Sequence, residues 1–226
     1  MTFTVVARCA ETNRLGVIIA TRAPAVGNRC PIVRPMFGAA SVQLIADPRQ
    51  TMLAGRLLDL GYSAPKVLKE LEDSDPNITR RQIGIVDSYG NTAAYSGKSA
   101  KGYSGHILGK QFVAMGNAIV SEAVVADMAK VMDDTVGQDL AERLMLAIEA
   151  GGNAGGQEEG QFSGAILIYG SEPFAELDLR VDYHENAIPE LRRIYDWFKP
   201  LVPYYLERVH NPYIEREDRW KAKHTS

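Results

Sequence analysis

"MTFTVVARCAETNRLGVIIATR" (residues 1–22) holds two runs of apolar and β-branched residues with a polar cluster between them. Residues 2–8 and 15–22 each have the composition of a strand, because branched side chains fit a pleated, half-buried surface. Glu11, Thr12 and Asn13 supply the turn, so the segment predicts an antiparallel hairpin whose first strand begins at residue 2. The hydroxyl of Thr2 would then stand at the start of a central strand.

Working outward, residues 38–46 form a further apolar run, and Asp47-Pro48 supplies a capping carboxylate followed by proline at the first helical position. A helix is expected to about residue 60, closed by Gly61, with a second one capped by Ser63 and broken at residues 75–77. Residues 81–86 and 92–96 predict a second hairpin around a turn of Asp87, Ser88, Tyr89, Gly90 and Asn91. A strand is expected at 111–115, and amphipathic helices at 122–132 and 138–150, the latter ended by Gly151-Gly152. A glycine-rich loop (153–160), a buried strand (163–169), a half-exposed strand (176–182) and a helix from Pro189 complete the chain. Strands arrive in hairpin-linked groups, which favours antiparallel sheets layered with helices over a doubly wound parallel sheet. The expected fold is α+β, with four layers ordered helix, sheet, sheet, helix.

Size and composition bound the function. The 226 residues suit one large domain, 1–188, followed by a C-terminal helical extension and tail, 189–226. Net charge is −3 with no long single-sign block, which argues against a nucleic-acid partner. No apolar stretch approaches the ~20 residues of a membrane helix. Arg8 interrupts the first apolar run too early for a secretory core, and Cys9 and Cys30 are too few for a disulfide framework. A soluble, cytoplasmic protein is expected.

Thr2 raises a specific chemistry. A free α-amine has an unperturbed pKa of about 7.7–8.0 and can take the hydroxyl proton while the oxygen attacks a carbonyl. This requires loss of Met1, which the small side chain of Thr2 permits.

The segments TFTVVA, LGVIIATRAPAVG, GAASVQLIADPR, GIVDSYGNTAAYSG, GHILGKQFVAMGN and DLRVD together resemble the domain of unknown function 1028 family, a branch of the N-terminal nucleophile (Ntn) hydrolase superfamily. The resemblance runs from Thr2 to about Tyr195. It implies a four-layer αββα sandwich, with Thr2 as nucleophile and its amine as base. Asn117, after Gly116, is similar in position to a serine that proteasome-type members place near that amine. Arg22 stands where an aspartate is expected, and no lysine occurs in the following thirty or so residues, so the proteasome relay is not reproduced. Arg22 or Arg34 would act only as positive charge, since arginine does not exchange its proton near neutrality. The glycine-rich backbone near Gly116 and the amides of Gln43 or Asn117 are candidates to stabilise an oxyanion.

Other candidates carry plainer readings. Asp47 reads as a helix cap. His106, in a glycine-flanked loop at 102–109, would line a pocket or transfer protons, or be structural. His184, His210 and His224 have no metal spacing, so no metal and no cofactor are expected. Cys9 and Cys30 lack an assigned base and read as small packing residues. Gly155-Gly156 lacks the lysine and the strand-loop-helix order of a phosphate loop. Relative to the family pattern, Gln157, Glu159 and Phe162 replace more basic and polar residues, which points to a different substrate preference. The tail's Trp197, Phe198, Tyr204, Tyr205, Tyr213 and Trp220 suggest docking on the body or a homodimer.

The leading expectation is an amidohydrolase of small nitrogenous molecules. The rivals are a non-catalytic metabolite-binding or assembly protein on the same scaffold, and a hydrolase using His106 with water.

Overall fold

The computed structural model describes residues 1–98 and 101–224. Strands β1 (Thr2–Arg8) and β2 (Leu15–Thr21) form the expected hairpin, with Thr2 opposite Thr21 and Arg8 opposite Leu15. After β3 (Pro31–Arg34) and β4 (Gly38–Leu44) come helices α1 (Pro48–Asp59) and α2 (Ala64–Ser74). The hairpin β5 (Arg81–Asp87) and β6 (Thr92–Ser96) is followed by β7 (Tyr103–Gly109) and β8 (Phe112–Ile119). Helices α3 (Ala123–Asp134) and α4 (Leu140–Asn153) precede β9 (Ser163–Tyr169) and β10 (Leu177–Val181). Three helices end the chain: α5 (Ala187–Phe198), α6 (Val202–His210) and α7 (Glu217–His224).

The strands make a six-stranded sheet, ordered β10-β9-β2-β1-β8-β7, and a four-stranded one, β3-β4-β5-β6. All strand pairs are antiparallel. The two-residue period of a strand sends alternate side chains to opposite faces. Thus Phe3, Val5 and Ala7 pack with Met128 of α3, Leu144 and Ile148 of α4, and Leu191 of α5. Val6 instead joins Val17 and Val113 against Val33, Ala39 and Val86 of the smaller sheet. The other face of that sheet, with Ala40, Val42, Ile83 and Ile85, packs on Leu58 of α1 and on Val67 and Leu71 of α2. The molecule is an α+β sandwich of four layers, helix, sheet, sheet, helix. Full burial of a side chain such as Phe3 contributes about 1.5–3 kcal/mol.

Three local expectations need correction. Residues 102–109 hold strand β7, not a loop; it lies at a sheet edge with much of its surface exposed, so no apolar alternation betrays it. Helix α4 runs through Gly151 and Gly152 to Asn153. A Cβ at Gly151 would lie 2.9 Å from Met128 Cγ and 3.1 Å from Phe3 Cδ2, so that glycine serves close packing rather than termination. The chain turns instead at Gly155 and Gly156, both with positive φ. Ser63 makes no side-chain capping bond, although Asp47 does, accepting from Arg49 N at 3.0 Å. In the tail, Pro200 and Pro203 sit in the first turns of new helical segments. The tail's aromatics partly pack on one another: Phe198 stacks on Tyr205, and Trp220 lies 5.5 Å from Tyr204 between ring centres.

Candidate active site

The space between the sheets has two chemically different ends. One is apolar, around Val6, Val33 and Val86. The other takes its side chains from the first residues of β1 and the last residues of β2, β4, β6 and β8, and there the sequence supplies Thr2, Thr4, Thr21, Gln43, Ser96 and Asn117, with Gln82 of β5 between them. Buried polar groups are costly unless paired, so their bonding is informative.

Gln82 is the hub. Its Oε1 accepts from Gln43 Nε2 at 2.8 Å and from Asn117 Nδ2 at 2.9 Å. Its Nε2 faces Ser96 Oγ, Gly105 O and Gly116 O at 2.8, 3.0 and 2.8 Å. Gln43 Oε1 in turn accepts from Thr4 Oγ1 at 2.6 Å. Ser96 Oγ lies 2.9 Å from His106 Nδ1, and burial lowers the histidine's pKa, so the ring is neutral near pH 7. The network is almost fully paired. The exception is Asn117 Oδ1, buried with no partner, on the strand position facing Thr2.

Thr2 itself is 5% exposed, and its Oγ1 lies 3.0 Å from Thr21 Oγ1. Thr21 uses its single proton on the carbonyl of Met1, so Thr2 is the donor of the pair. The two hydroxyls line a cavity of about 390 Å³ with Met1, Arg22, Arg29, Cys30, Leu44 and Ile45 among its walls. Burial, helped by Arg22, holds the α-amine of residue 1 below its ordinary pKa, while Cys30 and Glu159 pull the other way. Burial also pushes the Cys30 thiol up to about 11, so it stays neutral. The loop after α4 covers this end: Glu159 pairs with Arg22 at 2.5 Å and Phe162 N donates to Thr21 O at 2.8 Å. In the same loop Gln157 is buried with neither amide atom paired. Leu44, in the cavity wall, and Ala118, next to Asn117, both hold φ values in the left-handed region, 78° and 49°. For a non-glycine residue this costs about 1–2 kcal/mol, and such positions concentrate at functional sites.

Of the residues singled out in the sequence, the fold brings together Thr2, Arg22 and Asn117. Gln43 lies deeper, its amide committed to Gln82 and Thr4. Gly116 presents its Cα side to Ile119 and Val125, away from the space between the sheets. His106 is two strands from Thr2, opposite Met115. Arg34 pairs with Asp59, its Nε 2.8 Å from Oδ1, at the far end of β3. Thr21, Gln82, Arg29 and the orphaned oxygen of Asn117 escaped the sequence reading, because their roles depend on how two sheets face each other. In a larger cleft of about 600 Å³ between α4 and α5, Arg192 pairs with Glu149, its Nε 2.7 Å from Oε1. Among the described residues no group of three or more His, Cys, Asp or Glu is placed to hold a metal ion, and no helix is long and apolar enough to cross a membrane.

An αββα sandwich with a polar, cavity-lined end is the class that this fold defines. The chain belongs to the family of unknown function DUF1028, whose model matches residues 2–191. It is similar to protein SPO2555 from Silicibacter pomeroyi, of the same family, at 24% identity and a TM-score of 0.80 over 88% of this chain and 89% of that one. Two Anbu structures also match at 11% identity. Anbu (ancestral beta-subunit) from Yersinia bercovieri has a TM-score of 0.44, covering 90% of this chain and 96% of that one. The Anbu (Gly-1) mutant from Hyphomicrobium sp. strain MC1 has 0.45, covering 96% and 99%. Likeness at that level carries no inference about chemistry. No curated protein matches the chain.

Proposed function

We propose that the protein is an Ntn-type amidohydrolase acting on an amide bond of a small nitrogenous metabolite, with Thr2 as nucleophile once Met1 is removed. The observation that carries this reading is the donor hydroxyl of Thr2 at the wall of a metabolite-sized cavity, on the strand position opposite Asn117, whose Oδ1 is buried without a hydrogen-bond partner.

Loss of Met1 frees the nitrogen of Thr2 as an amine and releases the proton of Thr21 from the Met1 carbonyl. The amine takes the proton of the Thr2 hydroxyl while Oγ1 bonds to the substrate carbonyl carbon. Asn117 Oδ1 accepts from the ammonium so formed, and Thr21 Oγ1 bridges hydroxyl and amine. The ammonium then protonates the leaving nitrogen as the C–N bond breaks, which leaves an ester on Thr2. Water, deprotonated by the same amine, attacks the ester and releases a carboxylic acid. The donors of Gln43 and Asn117 both converge on Gln82 Oε1, so in this mechanism they position the site rather than hold the oxyanion.

A panel of amides, ureides and acyl-amino acids tests the reading with mature protein. Turnover is expected in wild type, with loss in Thr2→Ala and partial retention in Thr2→Ser. Turnover that survives in Thr2→Ala but disappears in His106→Ala assigns the chemistry to the histidine and a water instead.

A second reading, favoured by the hydrogen bond from Thr21 to the Met1 carbonyl, is a binding or assembly protein that keeps Met1 and has no turnover. In either reading a homodimer is proposed, supported by exposed apolar residues on the edge strand β7 and by exposed Trp197 and Tyr213 in the tail. A monomeric mass in light scattering at micromolar concentration removes it.

A further inference from the structure

The cavity beside Thr2 carries a charge that its own walls do not cancel. Arg22 is neutralised by Glu159. Arg29 is half-buried in the same wall, and its Nη2 donates to Pro24 O at 2.5 Å, which fixes the guanidinium without neutralising it. No acidic side chain pairs with Arg29 among the described residues. Cys30, adjacent in the wall, remains a neutral thiol. The lining also includes the apolar residues Val26, Leu44, Ile45 and Ala46.

A guanidinium held in place beside an apolar wall suits a ligand with a short aliphatic stem ending in an anion, because the fork donates two parallel bonds to a planar acceptor. One uncompensated positive charge matches a monoanion. A phosphate dianion would bring a second charge with nothing to meet it at a partly desolvated wall. The volume, about 390 Å³, is at the small end for ligand pockets and suits a metabolite of a few carbons rather than a polypeptide.

We propose that this cavity is a carboxylate-recognising subsite, that Arg29 is its anchor, and that the substrate's acyl portion carries a carboxylate at the end away from the scissile amide. This deepens, and as regards turnover rests on, the reading of Thr2 as nucleophile. Arg29 is then the specificity-determining residue, and Arg22 is held by Glu159 at the cavity rim.

The test separates charge from shape. Succinyl and succinamoyl 4-nitroanilides differ only in a carboxylate against a carboxamide. Mature wild-type protein is expected to show about a ten-fold or larger kcat/KM advantage for the succinyl compound, the scale of one charge-assisted hydrogen bond. Arg29→Gln removes that advantage mainly through KM, Arg29→Lys retains part of it, and raised salt shrinks it in wild type. Equal rates on both substrates in wild type, or an advantage untouched by Arg29→Gln, overturn the proposal.

A binding arm stands apart from catalysis. In mature Thr2→Ala, succinamate is expected to raise the thermal midpoint, succinamide is not, and adding Arg29→Gln abolishes the rise. Succinamate binding through Arg29 with no turnover of either anilide rejects the nucleophile and keeps the carboxylate subsite. Turnover of neutral amides without succinamate binding does the reverse.

Discussion

Thr2 and Asn117 face each other across β1 and β8, and the side-chain oxygen of Asn117 is buried without a hydrogen-bond partner. A buried unpaired acceptor costs about 1–3 kcal/mol, and it persists where something else repays it. In the proposed mechanism the protonated amine of Thr2 would be its donor.

Asn117→Ala removes that acceptor and one of the two donors to Gln82 Oε1. The variant is expected to lose about 1–2 kcal/mol of stability in urea unfolding, and its kcat is expected to fall at least ~ten-fold at saturating substrate. Unchanged kcat with lowered stability would restrict Asn117 to a structural part.

Thr21→Val replaces a hydroxyl by a methyl of similar volume. It deprives Thr2 Oγ1 of its acceptor and the future amine of its bridge. Stability is expected to fall by about 1–2 kcal/mol, because both hydrogen bonds of the hydroxyl are lost, while kcat is expected to drop by ~10²-fold. Steady-state kinetics beside thermal unfolding separates the two.

The pH profile follows from the charges around the terminus. Burial and Arg22 lower the pKa of the Met1 amine while Cys30 and Glu159 raise it, and a Thr2 amine freed by loss of Met1 would stand beside the same groups. A base must be unprotonated to act, so kcat/KM is expected to fall as pH drops through the pKa of the Thr2 amine, with the acid limb below the ordinary α-amine value. Arg22→Gln is expected to move the limb to higher pH, and Glu159→Gln to lower pH. Both limbs fixed would show that the titrating base is a different group.

Asp47 illustrates a residue whose part is stability. It caps α1 and pairs with Arg49 and Arg81, and its carboxyl is pulled down to about 2, chiefly by the Arg49 side chain. A depressed carboxylate stabilises the fold above its unfolded value of about 3.9, and this contribution fades only as pH falls from there through 2. Asp47→Ala is expected to cost about 1 kcal/mol at neutral pH by thermal unfolding, with activity retained.

The first hairpin was legible because its branched residues form two nearly uninterrupted buried strands. The capping carboxylate of Asp47 and the turn at Gly61, with φ of 76°, follow from local chemistry and were equally readable. Strand β7 was hidden by Gly102, Gly105 and Gly109 and by its place at an edge, where no apolar pattern is required. Helix α4 outran its two glycines because tertiary packing against Phe3 and Met128 outweighs their weak helix propensity. The site was half legible: Thr2 and Asn117 stand at strand ends that the resemblance marks. Gln82 and Arg29 become visible only when two sheets and a short turn meet around one cavity.

The most direct test of the account is the intact mass of protein isolated from its native cells, taken before and after treatment with a β-lactone. The account predicts a chain beginning at Thr2 that gains one acyl adduct on Thr2, with no adduct in Thr2→Ala. A chain that keeps Met1 throughout, or an adduct that persists in Thr2→Ala, would contradict it.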